Sequence, residues 1–536
     1  MASKRRSKPV DIALPNEIWL EIFNNIDYKG LLNLTLVCKH WNKLIFSHMA
    51  GRFVLSFDVD QLMFPQEVIG MVPDRHYRHL CVNSFRLNSL NYLFRIVKQL
   101  AGNLDSLKLR LKMLDCQLLE LLLPLLKRLN ELDIKATYVE NGETTYRKPT
   151  LPTVKTLKLD IANRVSIYKL GSLEWVLLSC IPNVQKLTIF VHGPQDLPII
   201  DSLAPQLKVL KASVDCDTLY LFFQIRLPAL TSLDLTVENL DQQRYQVFCG
   251  RTVFQPFLLQ CKNLKSITLE HCEFDEQPLP MIFNNFPELE TLELYGYLML
   301  DMLSLSGIEK MKKLKRLVIT ENIASKSFLP SPSVQSLGFT GFPYRNDLIE
   351  VLRRFPNLKY LTLPGSNYVK GELQAIPKHA PQLKHLIVNR LKLIKIDLLE
   401  EIKQMVGLRT VTIEVTSFSR DKFRLLKQII VLPELRTLTV KTSSNIPIGM
   451  ARSVAATNPA CKLLLNKELV KPPVPRLANK RKRRSDQEVE SGGSDLSTVS
   501  TDVSASGSSS MLSVSSSSIK CSSPSEGKRM FLDVSK

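Results

Sequence analysis

Residues 287–294 read Pro-Glu-Leu-Glu-Thr-Leu-Glu-Leu. Leu289, Leu292 and Leu294 are spaced Leu-x-x-Leu-x-Leu, and the last two are alternate residues that a strand turns to one side. Pro287 cannot continue a helix, so it closes the preceding segment and opens the strand. The same phrase returns in both directions along the chain. N-terminally it appears as Leu264/Ile267/Leu269, Leu230/Leu233/Leu235, Val184/Leu187/Ile189, Val154/Leu157/Leu159, Leu129/Leu132/Ile134 and Leu104/Leu107/Leu109. C-terminally it appears as Leu314/Leu317/Ile319, Leu358/Leu361/Leu363, Leu383/Leu386/Val388, Leu408/Val411/Ile413 and Leu435/Leu438/Val440. With weaker copies at Tyr77, Leu207 and Val334 there are fifteen starts, spaced by about 26 residues on average. Nine of them carry proline two positions upstream, as at Pro152, Pro228 and Pro433.

One such unit cannot bury its apolar side, whereas stacked units form a parallel sheet over a continuous core. The return segments Ser89–Gln99, Leu118–Leu126, Asp347–Phe355 and Arg424–Ile430 have helical apolar spacing. The fold class is therefore α/β. Residues 77–440 resemble a leucine-rich-repeat solenoid, which implies a horseshoe with a concave binding face. The family's usual Asn or Cys, eight residues after the first Leu, occurs only as Cys272 and Asn322. Offsets two, four and six from each first Leu are expected on the solvent face. They include Lys108, Arg110, Lys158, Lys186, Phe190, Lys211, Glu270, Glu293, Tyr295 and Tyr360. Aromatic residues set among charges suit a protein partner, so Lys108, Arg110, Lys158, Lys186, Phe190, Lys211, Tyr295 and Tyr360 are the candidate substrate contacts. Solvation alone would also place each of them there. At offset one, nine of the fifteen copies are basic, where chance gives about two. This predicts a ladder of positive charge along one rim, fit for an anionic partner or simply a soluble habit of the repeat.

Before the repeats, residues 10–49 hold Trp19 and Trp41, two of the three tryptophans. Pro15 suits the first turn of a helix, and Glu17 suits its dipole. Ile18, Ile22 and Ile26 share one face, beside Trp19 and Phe23. The pattern breaks over Asp27–Gly30 and resumes with Leu31, Leu34, Leu36, Val37, Trp41, Leu44 and Ile45. Two or three short helices in so few residues need a partner or the adjoining repeats to complete a core. The order Leu14, Pro15, Glu17, Ile22, Phe23, Leu31, Leu32, Val37, Cys38, Lys39, Trp41, Leu44 resembles an F-box. The resemblance implies docking on a Skp-type adaptor and, through it, a cullin. It implies adaptor contacts at Leu14, Pro15, Ile18, Ile22 and Leu31, and F-box core at Phe23, Val37, Cys38 and Trp41. The plain alternative is a helical cap on the first repeat.

The chain has 536 residues, 71 Lys+Arg against 51 Asp+Glu and a formal charge of +20. The basic stub 1–9 carries +4, residues 10–49 carry −1 and residues 466–536 carry +4, which leaves +13 on the periodic body. The ten cysteines include no CxxC pair, so a zinc ribbon or redox motif is not expected. Cys249, Cys261 and Cys272 read as repeat core, and the thiols as free in a reducing compartment. The Leu-rich stretch Leu118–Leu126 is too short for the ~20 residues that span a bilayer, so no membrane segment is expected. His76-x-x-His79 lacks a third ligand, and no P-loop, GxSxG or HExxH is present. No catalytic residue, metal or cofactor is expected.

The domains are then a stub over 1–9, an F-box over 10–49, the array over 50–470 and a tail over 471–536. Between Ser485 and Ser525, 18 of 41 residues are serine, a composition that does not support a packed core. Lys480, Arg481, Lys482, Arg483 and Arg484 form a pentad that reads as a nuclear localisation signal or a nucleic-acid patch. Ser485, followed by Asp486 and Glu488, resembles an acidophilic kinase site beside it. Nucleus and cytoplasm are the expected locations. The function expected is the substrate-recognition subunit of an SCF-type cullin–RING ubiquitin ligase, contributing no chemistry itself. A second class is a nuclear scaffold that binds nucleic acid or acidic proteins through the rim and tail.

Overall fold

The computed structural model describes residues 14–58, 77–84, 90–140, 153–162, 176–178, 180–238, 254–272, 278–296, 304–319, 329–339, 347–364, 373–391, 400–415, 420–443 and 446–470. Three helices come first: α1 (Asn16–Asn24), α2 (Tyr28–Thr35) and α3 (Lys39–His48). Pro15 precedes α1 with extended ψ, so its missing N–H falls where no helical partner exists. The Asp27 carboxylate accepts from the Gly30 N–H at 2.8 Å, so α2 starts at Tyr28 and Gly30 lies inside it. The expected break over Asp27–Gly30 is thus a helix cap. A Cβ on Gly30 would stand 2.5 Å from Ile26 Cγ2, and glycine is what lets the cap close.

Among the described residues eighteen strands follow in one open sheet. They are β1 (Val54–Asp58), β2 (His79–Ser84), β3 (Ser106–Asp115), β4 (Glu131–Glu140), β5 (Thr156–Ile161), β6 (Lys186–Val191), β7 (Val209–Asp215), β8 (Ser232–Glu238) and β9 (Ser266–Glu270). Then come β10 (Thr291–Tyr295), β11 (Arg316–Ile319), β12 (Ser336–Phe339), β13 (Tyr360–Pro364), β14 (His385–Leu391), β15 (Thr410–Val415), β16 (Thr437–Thr442), β17 (Lys462–Leu465) and β18 (Glu468–Leu469). Each strand pairs with the next in chain order, and every pair from β1 to β17 is parallel. The register follows the sequence phrase: Leu292 pairs with Ile267 on one side and Leu317 on the other. The helices Leu90–Leu100, Cys116–Leu122, Asp347–Arg353 and Arg420–Ile429 occupy return segments that the sequence marks as helical.

Alternation sends one side of each strand inward, and Leu107, Leu109, Leu132, Leu233, Leu292, Leu386 and Leu438 are fully buried. Core cysteines behave as small apolar residues. Burial pushes the Cys261 thiol up to about 12 and the Cys180 thiol up to about 11, which keeps both protonated and inert. Gly296 has φ +102°, and a Cβ there would meet the His271 backbone at 2.7 Å, so β9 and β10 close on each other only with glycine.

Three strands lie outside the fifteen sequence copies, β1, β17 and β18, and each has a reason. In the register of β1, the first apolar position falls on Arg52, whose guanidinium donates to Phe23 O at 3.2 Å and Ile26 O at 2.7 Å. That position ties the helices to the sheet instead of filling its core. In the register of β17 the same position is Ala460. The array ends there because Asn466 (φ 48°) and Lys467 (φ 73°) turn the chain back and β18 pairs antiparallel with β17. Two consecutive positive φ values are the tight-hairpin geometry that matches strand twist.

Candidate functional site

The three helices pack into the same continuous core as the sheet. Trp19, Phe23 and Trp41 form an aromatic cluster, with Trp19–Trp41 centroids at 4.7 Å and Phe23–Trp41 at 5.5 Å edge-on. Phe46 packs tilted against Phe53 at 5.2 Å and edge-on to Tyr77 at 5.5 Å, which bridges α3 to the first strands. The helical block is therefore held in a fixed orientation on the end of the array.

Among its mostly polar exposed residues this block leaves four large apolar side chains uncovered. Ile18 and Ile22, one turn apart on α1, are 42% and 40% exposed. Leu36 is 84% and Val37 61% exposed just past the end of α2. Two expectations are corrected here. Leu31, expected as an adaptor contact, is fully buried among the three helices, and Phe23 is buried with it. Val37 and Cys38, expected in the F-box core, are exposed because α2 has ended and the chain is turning into α3. Cys38 serves that turn, since its Sγ accepts from the Trp41 N–H at 3.4 Å. Trp41 is half-buried, Leu14 is half-buried and Pro15 is exposed.

A contiguous exposed apolar patch is a common feature of docking surfaces. Residues 12–50 match the model of the F-box-like family. Comparison with curated proteins found no match. Among solved structures, the yeast Rad7–Elc1 complex is similar at 14% identity and a TM-score of 0.35, covering 70% of this chain and 86% of that chain. A likeness at that level carries no argument, so the F-box-like match and the geometry stand on their own.

The second surface is the open face of the sheet. Lys108, Arg110 and Lys158 are half-buried there, and Lys186 and Lys211 are exposed. Most of these bases already have partners. Arg110 holds Asp133 through two bonds of 2.8 Å. Lys158 holds Glu131 at 2.6 Å, Lys135 holds Asp160 at 2.5 Å and Lys211 holds Asp234 at 2.6 Å. Arg316 holds Glu293, which also accepts from the Tyr295 hydroxyl at 2.8 Å. Phe190 stacks on His192, and Tyr360 lies flat on His385 with centroids 4.0 Å apart. The bidentate bond to Asp133 raises the Arg110 pKa and fixes its charge. The face from β3 to β8 is therefore largely self-neutralised.

The face from β12 to β17 differs. Its central column reads Gly338, Thr362, Ile387, Thr412, Thr439 and Leu464, one residue per strand. None is charged, and all but the buried Gly338 are half-buried.

The rim is continuous in the backbone. Amide-to-carbonyl bonds of 2.7–3.0 Å run in order through Arg78, Asp105, Asn130, Lys155, Gln185, Lys208, Thr231, Lys265, Glu290, Lys315, Gln335, Lys359, Lys384, Arg409 and Arg436. The expected ladder of bases is therefore interrupted along its first part. Up to Gln335 no two bases are neighbours, and Asp105 and Glu290 are paired with Arg78 and Lys315. Only Lys359, Lys384, Arg409 and Arg436 are consecutive.

The remaining expectations are placed as follows. His79 bonds the Gly51 carbonyl at 3.0 Å, so it ties β2 to the preceding turn. Cys261 and Cys272 are buried, and Cys249 and His76 lie outside the described residues. Lys480–Arg484 and Ser485 also lie outside them. Among the described residues one acidic-thiol group, Asp215, Cys216 and Asp217, brings its ligand atoms within 4.8 Å of one another. The Asp215 carboxylate there accepts from the Asp217 N–H, which makes it part of a turn. Among the described residues no helix is long and apolar enough to cross a membrane.

Proposed function

We propose that the chain is a substrate-recognition subunit of an SCF-type ubiquitin ligase. The F-box-like block would dock on a Skp-type adaptor and thereby on a cullin. The repeats, read as a leucine-rich-repeat solenoid over residues 50–470, would hold the protein substrate. The observation that carries this is the F-box-like block itself, with Ile18, Ile22, Leu36 and Val37 exposed on its surface. Its firm attachment to the sheet through Arg52, Phe46 and Phe53 supports the mechanism. A rigid link between adaptor and substrate raises the effective concentration of substrate lysines at a ubiquitin-charged enzyme. No acid, base or nucleophile of this chain enters that mechanism. Nuclear entry through Lys480–Arg484, tuned at Ser485, belongs to the same proposal.

The test is adaptor capture. Ile18→Asp with Ile22→Asp places two charges on the exposed face of α1 and leaves the buried side intact. Co-purification of a Skp-type adaptor with the full chain should be lost, with the thermal melt unchanged. Undiminished capture would refute the docking face, and no capture by the wild type would refute the reading.

A further inference from the structure

We infer that the array holds its partner on the open face of β12–β17, and that the partner is an extended acidic polypeptide segment. The proposal rests on the substrate-receptor reading and names the chemistry of its substrate. Three observations carry it. First, Lys359, Lys384, Arg409 and Arg436 stand on consecutive strands along the rim, with Lys462 beside them on β17. At ~4.8 Å per strand, the four span about 14 Å. Like charges at this spacing repel, and an anionic partner relieves that repulsion.

Second, the row is only partly neutralised by the fold itself, through a single carboxylate. The Glu434 carboxylate lies 3.4 Å from Lys384 Nζ and 3.7 Å from Arg409 Nε. One carboxylate thus already bridges two members of the row. Lys359 has only the Gln335 amide oxygen at 3.1 Å, and Arg436 and Lys462 have no ion pair among the described residues.

Third, the strip beside the row is neutral. Thr362, Ile387, Thr412, Thr439 and Leu464 offer methyl groups without charge, next to Tyr360, which is 47% exposed. Little desolvation penalty opposes apolar side chains that settle there. Among the described residues no ion pair crosses this part of the open face, whereas the face from β3 to β8 is occupied by its own pairs. The surface is thus basic along one edge and uncharged beside it, with Glu414 and Lys441 side by side on its far margin. An extended peptide has that complement, because alternate side chains point to opposite sides. About four or five residues at ~3.4 Å each cover the row, with two or three carboxylates toward it. A single-stranded nucleic acid would need flat platforms for its bases. Threonine and isoleucine do not stack, and one face of the Tyr360 ring is already taken by His385.

The test uses the full chain and three labelled probes in fluorescence anisotropy: a (Glu-Val)8 peptide, a (Lys-Val)8 peptide and a 20-nucleotide single-stranded DNA. The wild type should bind (Glu-Val)8 and ignore (Lys-Val)8. Lys359→Glu, Lys384→Glu, Arg409→Glu and Arg436→Glu together should weaken (Glu-Val)8 by about tenfold or more, with the melt unchanged. Ile387→Asp with Thr412→Asp, which leaves the row intact, should weaken it too. Lys186→Glu, on an exposed base of the other half, should change it less than about twofold. Equal binding by the four-residue variant overturns the site. Tighter binding of the DNA than of (Glu-Val)8, lost in the same variant, overturns the peptide assignment. The Ile18→Asp/Ile22→Asp variant should bind (Glu-Val)8 like the wild type. Peptide binding without adaptor capture sinks the ligase reading alone, and adaptor capture without peptide binding sinks this surface alone.

Discussion

The open face of β3–β8 and that of β12–β17 are made by the same repeat on the same core, yet they have opposite chemistry. In the first, Arg110, Lys135, Lys158 and Lys211 each hold an acid on the neighbouring strand. In the second, the column is small and uncharged and the bases gather at the rim. A charge with a partner in its own fold contributes to the fold, because a ligand has to displace that partner before using it. In the rim row Lys384 and Arg409 share the one Glu434 carboxylate and Lys359 and Arg436 have no ion pair among the described residues, so the row keeps positive charge that a ligand can use. The difference teaches that the most basic stretch of a binding face is not its most receptive part. Three of the five bases expected as substrate contacts, Arg110, Lys158 and Lys211, are occupied.

The comparison breaks first if the halves differ beneath the face. Leu132 and Leu386 are both fully buried at equivalent positions of the phrase. Leu132→Ala and Leu386→Ala should each cost roughly 2–5 kcal/mol, through lost burial and the cavity left behind. Urea unfolding of the two variants should shift by similar amounts. A near-neutral Leu386→Ala would mean that the second half is loosely packed, and its face would then be no fixed surface.

A smaller effect separates the faces themselves. Asp133 is buried and bonds Arg110 twice, so Asp133→Ala leaves a half-buried guanidinium without its anion. The expected loss is about 1.5–3 kcal/mol. Thr412→Ala, at the corresponding offset of the second half, should stay within about 0.5 kcal/mol. Thermal melts compare the two, and equal losses would remove the distinction between a structural and a receptive face.

The smallest effect is a pH dependence confined to the second half. Burial, and next the nearby Arg409 charge, hold the His385 imidazole below its ordinary value. Its Nδ1 lies 2.8 Å from Thr410 Oγ1, and its ring covers Tyr360. A depressed histidine favours the neutral form in the fold. Its contribution is therefore complete above the unfolded value of about 6.5 and is lost as pH falls below it toward the folded value. Between pH 7.5 and 5.5 the wild type should lose slightly more melting temperature than His385→Gln. A histidine NMR titration with a midpoint above about 6.5 would contradict the assignment.

Much of the architecture was legible beforehand, and the misses have local causes. The phrase at Leu289–Leu294 set the strands and their register, and the return helices fell near their expected places. β1 was hidden because Arg52 sits where the first leucine belongs, and it sits there to bond the carbonyls of Phe23 and Ile26. β17 was hidden behind Ala460. In the helical block, Leu31 and Val37 exchanged expected places. Both are apolar, and the helix end at Thr35 buries one and exposes the other.

The rim was legible in part. A count of nine bases at offset one suggests a ladder. Taken in repeat order, the same residues already run Lys359, Lys384, Arg409, Arg436 without interruption and are separated by non-basic residues before that. Order along the repeat is position along the sheet, because every strand pairs with its successor.

By itself the sequence determined the period, the side of each strand that faces inward, and a helical block with an F-box-like order of residues. Those depend on apolar spacing within a few residues, which local geometry fixes. Only the tertiary structure decided which charges are free. The acid that holds Arg110 lies 23 residues along the chain, that of Lys158 lies 27 away and that of Lys384 lies 50 away. Stacking brings them within bonding distance, and an ion pair depends on separation in space.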